Sequence, residues 1–136
     1  MQPHPEGGHF VEIYRSAPLT SIFFLLTAGD ISRWHRVLGS DEAWHFYEGA
    51  SIELLTAGDG FARLERRELG PVSAERRPVH VVPAGVWQAA RTTGDYTLVG
   101  CSVGPGFDFA NFEMLRDATG AADEARRRQP GAAAFI

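Results

Sequence analysis

The stretch that decides the fold is Trp34–Gly49, WHRVLGSDEAWHFYEG. It reads as two extended runs on either side of a turn, Gly39-Ser40-Asp41. Side chains alternate between the faces of a strand, so His35 and Val37 point the same way. The turn reverses the chain, and Glu42 then faces the same interior from the next strand. Trp44 and Phe46 share the parity of Glu42 and are expected to line that interior, where they either stack on a flat ligand or fill core; His45 points away. A histidine and a carboxylate thus meet among apolar residues. Such neighbours form a candidate acid–base pair, because each shifts the other's proton affinity. The bland alternative is that His35 and Glu42 only satisfy each other.

Outward from this stretch, short apolar or alternating runs recur between turn residues. Strands are read near His9–Tyr14, Ser21–Leu26, Ala43–Tyr47, Ser51–Leu55, Ala62–Glu68, Val79–Val82, Trp87–Arg91 and Tyr96–Val103. Gly7-Gly8, Gly29-Asp30, Gly58-Asp59-Gly60, Gly70-Pro71 and Gly94-Asp95 separate them. Many short strands at this spacing indicate an all-β sandwich, jelly roll or closed barrel. Ile22–Leu26 has no polar face, so both its sides are expected to be covered, by the barrel's own layers or by a second subunit. A homodimer follows as an expectation. One helix is expected, over Asp117–Gln129, with Asp123–Arg127 and Glu124–Arg128 as pairs four apart. The division is a barrel domain over residues 1–116 and a helical tail over 117–136.

With 136 residues the chain is one domain long, and 44% hydrophobic residues suffice for a core. A net charge of −4 argues against a nucleic acid polymer as main partner. Cys101 is the only cysteine and has no internal partner, which suits a cytoplasmic location. No apolar run has the length of a signal peptide or a membrane span, so no membrane association is expected.

A second element lies at Pro83-Ala84-Gly85-Val86-Trp87-Gln88. Together with His35-x-Val37-x₄-Glu42-x₆-Gly49 it follows the two-part pattern of metal-binding cupins, with Val37 and Gln88 where that pattern has histidines. Four side chains, His35, Val37, Glu42 and Gln88, are expected to converge in the barrel. Transition metals favour imidazole ligands, and only one imidazole remains. No metal or other cofactor is therefore expected, and a divalent metal is the less favoured alternative.

The segments PHPEGG (Pro3–Gly8), YRS (Tyr14–Ser16), TSIFFLL (Thr20–Leu26), SDEAWHFYEG (Ser40–Gly49), VVPAGVWQAA (Val81–Ala90) and LVGCSVGPGFDFANFE (Leu98–Glu113) resemble the fifth cupin family, once described as a domain of unknown function. The resemblance implies a jelly-roll barrel related in fold to sugar-nucleotide epimerases, a dimer, and a pocket at one barrel mouth. It implies no settled reaction.

Arg15 is placed to clamp a carboxylate or phosphate, or to pair with Glu12 or Glu6. Phe107, Phe109 and Phe112 are expected to plug one barrel end, with Asp108 capping the turn beside them. His4 and His80 show no partner in sequence, and Cys101 reads as a buried thiol. Three functions fit these residues. The first is a metal-independent isomerase or epimerase acting on a small polar metabolite such as a sugar or nucleotide, with His35 and Glu42 catalytic and Gln88, Trp44, Phe46, Val37 and Arg15 contacting the ligand. The second is a ligand-binding module without chemistry. The third is a metal-dependent cupin enzyme.

Overall fold

The computed structural model describes residues 1–136. Its strands are β1 (Gln2–Pro3), β2 (His9–Arg15), β3 (Thr20–Thr27), β4 (Ile31–Val37), β5 (Asp41–Gly49), β6 (Ile52–Ala57), β7 (Leu64–Leu69), β8 (Val79–Val82), β9 (Trp87–Thr92), β10 (Tyr96–Gly104) and β11 (Phe112–Met114). They form two antiparallel sheets, ordered β1-β2-β3-β10-β5-β8 and β11-β4-β9-β6-β7. The sheets close on each other as a jelly-roll barrel, and α1 (Thr119–Arg128) with a 3₁₀ stretch (Pro130–Phe135) follows. The fold is the all-β cupin barrel with a short C-terminal helix. No helix is long and apolar enough to cross a membrane.

Period-two alternation sorts the apolar residues into two layers. Phe24, Leu26, Trp44, Ile52, Leu54, Val82, Ala90, Val99 and Cys101 fill the barrel. Trp34, Leu55, Ala57, Trp87 and Ala89 point out of the second sheet and are covered by Leu115, just after β11, and by Ala122, Ala125, Ala132 and Phe135 of the tail. The tail is therefore a third layer that makes β9 and β6 buried on both faces. Within α1 the ion pairs are Asp123–Arg126 at 3.1 Å and Glu124–Arg127 at 3.6 Å. These are three apart, not the expected four, because both spacings bring side chains onto one helix face.

β4 departs from simple alternation. Its register with β9 slips between Ser32 and His35. This bulge lets Ser32 and His35 both face the interior while Trp34 packs in the outer layer. It also explains why period-two patterning shows the strand only from Trp34 on and not over Ile31–Arg33.

Candidate functional site

A cavity of about 70 Å³ opens at one barrel mouth. Its floor holds Glu6, His35, Val37, Glu42 and Cys101, and its walls are Phe10, Phe107, Phe109 and Phe112 with His4. Phe112 lies parallel to the His35 ring, centroids 5.5 Å apart. The segment carrying the three phenylalanines is pinned by Thr20, whose Oγ1 accepts from Phe107 N–H at 2.9 Å, and by Arg15, which donates to the Phe107 carbonyl at 2.9 Å. Asp108 caps its turn through Ala110 N–H at 2.9 Å, as expected.

The carboxylate that touches His35 is Glu6, not Glu42. His35 Nε2 stands 2.9 Å from Glu6 Oε2, and Ser32 Oγ donates to Glu6 Oε1 at 3.0 Å. The other ring nitrogen, Nδ1, stands 2.7 Å from the carbonyl oxygen of Arg33. That carbonyl only accepts, so Nδ1 carries a hydrogen. With both nitrogens facing acceptors, His35 is an imidazolium paired with a carboxylate. Burial pulls its pKa down, but the charge and hydrogen bond of Glu6, with help from Glu42, raise it to about 9. Burial likewise opposes ionisation of Glu6, yet His35 and His4 hold it below the ordinary carboxylate value.

Glu42 sits differently. Its Oε1 accepts from Gln88 Nε2 at 2.7 Å, and Gln88 Oε1 accepts from Trp44 Nε1 at 2.6 Å. An indole N–H only donates, so Trp44 fixes which way the Gln88 amide faces. The Cys101 thiol lies beside Glu42 in the cavity lining, and burial raises the thiol pKa so that it stays protonated. Burial pushes Glu42 up to about 7; the nearby His35 charge opposes this and Glu6 reinforces it. The cavity thus holds a fixed ion pair beside a carboxyl group poised near neutrality.

Of the residues expected at the site, His35, Val37, Glu42 and Arg15 line the cavity. Gln88 is buried behind Glu42 and reaches the cavity only through it. Trp44 is fully buried in the barrel and Phe46 packs against the same core, so neither lines the mouth. Inward parity is not sufficient, because they lie further along β5, beyond Glu42 from the opening. Arg15 pairs with Glu12 at 2.6 Å. Sequence reasoning assigned no chemistry to Glu6 or His4. The available signal was Gly7-Gly8: Gly7 has φ +112°, and a Cβ there would collide with the Ile31 carbonyl. This close approach presses Glu6 onto β4, where the Glu6 carbonyl accepts from Arg33 N–H at 2.7 Å.

The side chains do not suit the metal centre of metal-binding cupins. Val37 has no donor, Gln88 Oε1 is held by Trp44, and both His35 nitrogens are turned to acceptors. No three His, Cys, Asp or Glu residues are grouped to hold an ion.

The family model described as "Cupin superfamily (DUF985)" matches residues 1–115. A crystallised protein from Shewanella oneidensis is 31% identical, with a TM-score of 0.83 over 99% of this chain and 87% of that one. A hypothetical protein from Leishmania major is 27% identical, with a TM-score of 0.82 over 99% and 90% of the respective chains. KdgF from Halomonas sp. shares the fold at 16% identity, TM-score 0.63, over 81% of this chain and 88% of that one. No curated protein matches. The chain belongs to this cupin family.

Proposed function

We propose that this cupin binds a small metabolite in the barrel mouth and moves a proton on it with Glu42, as a metal-independent isomerase. The observation that carries the reading is the commitment of both His35 nitrogens to acceptors. His35 then acts as a fixed positive charge, and Glu42 is the group able to exchange a proton near pH 7. This revises the roles expected of the pair: His35 sets the field and Glu42 does the transfer. The Gln88 hydrogen bond orients the Glu42 carboxyl toward its task.

The test begins with mass spectrometry of whatever molecule copurifies with the protein, followed by its incubation with wild type and Glu42→Gln in D2O. Incorporation of deuterium by wild type, reduced about 100-fold or more in the variant, is expected. Retention of the molecule without exchange would favour a binding module instead.

The outer face of the first sheet supports a homodimer as the working unit. Val11, Phe23, Leu25, Leu98, Tyr47, Val79 and Val81 lie on it, and Val81 is 49% exposed while the equivalent face of the other sheet is covered by the tail. A reducing, cytoplasmic setting suits the buried thiol of Cys101.

A further inference from the structure

The polar side chains around the cavity are nearly all spoken for. Both oxygens of Glu6 accept, from Ser32 and His35. His35 is committed at both nitrogens, and Thr20 Oγ1 accepts from Phe107 N–H. Arg15 and Glu12 pair with each other at the rim. The Cys101 thiol is buried and stays protonated. Besides the Thr20 hydroxyl hydrogen, two groups remain. One is the Glu42 carboxyl. The other is His4, whose Nδ1 accepts from Glu6 N–H at 3.2 Å. An N–H aimed at Nδ1 leaves that nitrogen without hydrogen, so Nε2 carries it in the neutral ring. Nε2 has no protein partner, and no buried side-chain nitrogen or oxygen is left unsatisfied, so Nε2–H is open to the cavity that His4 lines. The His4 side chain is only 8% exposed, so its open edge is inside the mouth and not on the surface. Around these two polar groups the walls are aromatic rings and the side chains of Ile22, Val37 and Val103.

We propose that the ligand is a compact, largely apolar carbonyl compound whose oxygen accepts from His4 Nε2–H and whose adjacent C–H faces Glu42, and that polyhydroxylated sugars are excluded. This rests on Glu42 as the proton-transfer group. A sugar would bring many hydroxyls against aromatic walls whose inner part offers only Glu42, His4 and the Thr20 hydroxyl hydrogen, the Arg15–Glu12 pair lying at the rim, and each hydroxyl left unpaired costs binding. A ketone brings one acceptor, matched by one donor, and its hydrocarbon body suits the phenylalanine walls. In the reaction the Glu42 carboxylate takes the proton from the carbon next to the carbonyl. The C–H electron pair forms the new carbon–carbon double bond, and the carbonyl electrons move to oxygen, where His4 Nε2–H stabilises the enolate. Glu42, now protonated, returns the proton to carbon or oxygen, so no oxidant or reductant is required. His4 is thus a second catalytic residue.

The probe is cyclohexanone, with ribose as comparator. Binding is followed by saturation-transfer NMR and exchange of the α-hydrogens by proton NMR in D2O. Wild type is expected to bind cyclohexanone at least about tenfold more tightly than ribose and to accelerate exchange over buffer. His4→Asn keeps an acceptor for Glu6 N–H but removes the Nε2 donor, and should weaken binding and slow exchange about tenfold or more. His4→Gln, whose amide nitrogen reaches the Nε2 position, should recover most of the loss. Glu42→Gln should bind the ketone and lose exchange. Ribose binding as tight as cyclohexanone, no cyclohexanone binding by wild type, or a folded His4→Asn that binds like wild type would each overturn the proposal. Unchanged exchange in Glu42→Gln with His4-dependent binding would overturn the proton-transfer reading and support the ligand class alone.

Discussion

Glu6, His35 and Glu42 share one cavity yet respond to pH in three different ways. His35 has a folded pKa raised from 6.5 to about 9, so its contribution to stability is complete below 6.5 and is lost as pH rises toward 9. Glu6 is lowered from 4.5, so its contribution is present above 4.5 and is lost on acidification. Glu42 is raised from 4.5 to about 7, so the fold favours its protonated form and stability falls as pH rises between those values. Urea unfolding against pH should therefore show declining stability from 4.5 upward, with the portion between 6.5 and 9 belonging to His35. Glu6→Gln should flatten that upper portion, and Glu42→Gln the lower; an unchanged upper slope in Glu6→Gln would contradict the ion pair. For catalysis the expectation is a rise in rate with pH centred near 7, as the Glu42 carboxylate forms, and a fall near 9, as His35 loses the charge that sets the field. His35, Val37 and Glu42 were legible because strand parity alone brings them together. Glu6 and His4 were not, because they sit in the loop between β1 and β2, where no period says which way a side chain points.

Among the elements, the strands β2, β3 and β5 to β10 follow from alternation and turn residues, whereas the first half of β4 hides behind its bulge and β1 and β11 are too short to show a period. The helix was legible from composition, but not its task. Ala122 and Ala125 are buried because α1 packs on the 3₁₀ turns that carry Phe61 and Leu115, in the same apolar layer as Trp34 and Trp87, and small side chains permit that approach. Ala125→Asp puts an unpaired carboxylate into this layer and should destabilise the protein by about 2–4 kcal/mol. The check is chemical denaturation together with tryptophan emission, which should shift to the red as the outer layer admits water. A variant as stable as wild type would mean that the tail does not seal the sheet. β10 carries a second constraint: a Cβ on Gly100 would stand 2.5 Å from the Tyr47 ring, which lies flat over that glycine. Gly100→Ala must swing the half-exposed tyrosine outward, at a cost of about 1 kcal/mol.

The two sheets of the whole molecule end differently on their outer sides. One is roofed by the chain's own tail; the other leaves Phe23, Leu25 and Tyr47 without a roof. A twofold pairing of that second face would give the molecule a matching cover on both sides. Light scattering at micromolar concentration should return twice the chain mass of 14.9 kDa, and Leu25→Lys should return the chain mass itself. A wild-type monomer would refute this arrangement. Gly100→Ala joins the test, because the displaced Tyr47 ring would stand in the same interface and weaken association. The apolar character of Ile22–Leu26 was plain in the sequence. What covers it was not, since barrel interior and subunit contact demand the same side chains.

The hydrogen bonds from Trp44 to Gln88 and from Gln88 to Glu42 have an optical consequence. An indole fluorophore sits one amide away from the titrating carboxyl, in a water-free layer. Each protonation or ligation of Glu42 alters the field along the indole N–H, while Trp34 and Trp87 report from the far side of the sheet. The emission of Trp44 is therefore an intrinsic gauge of the charge on Glu42, readable in the unlabelled protein.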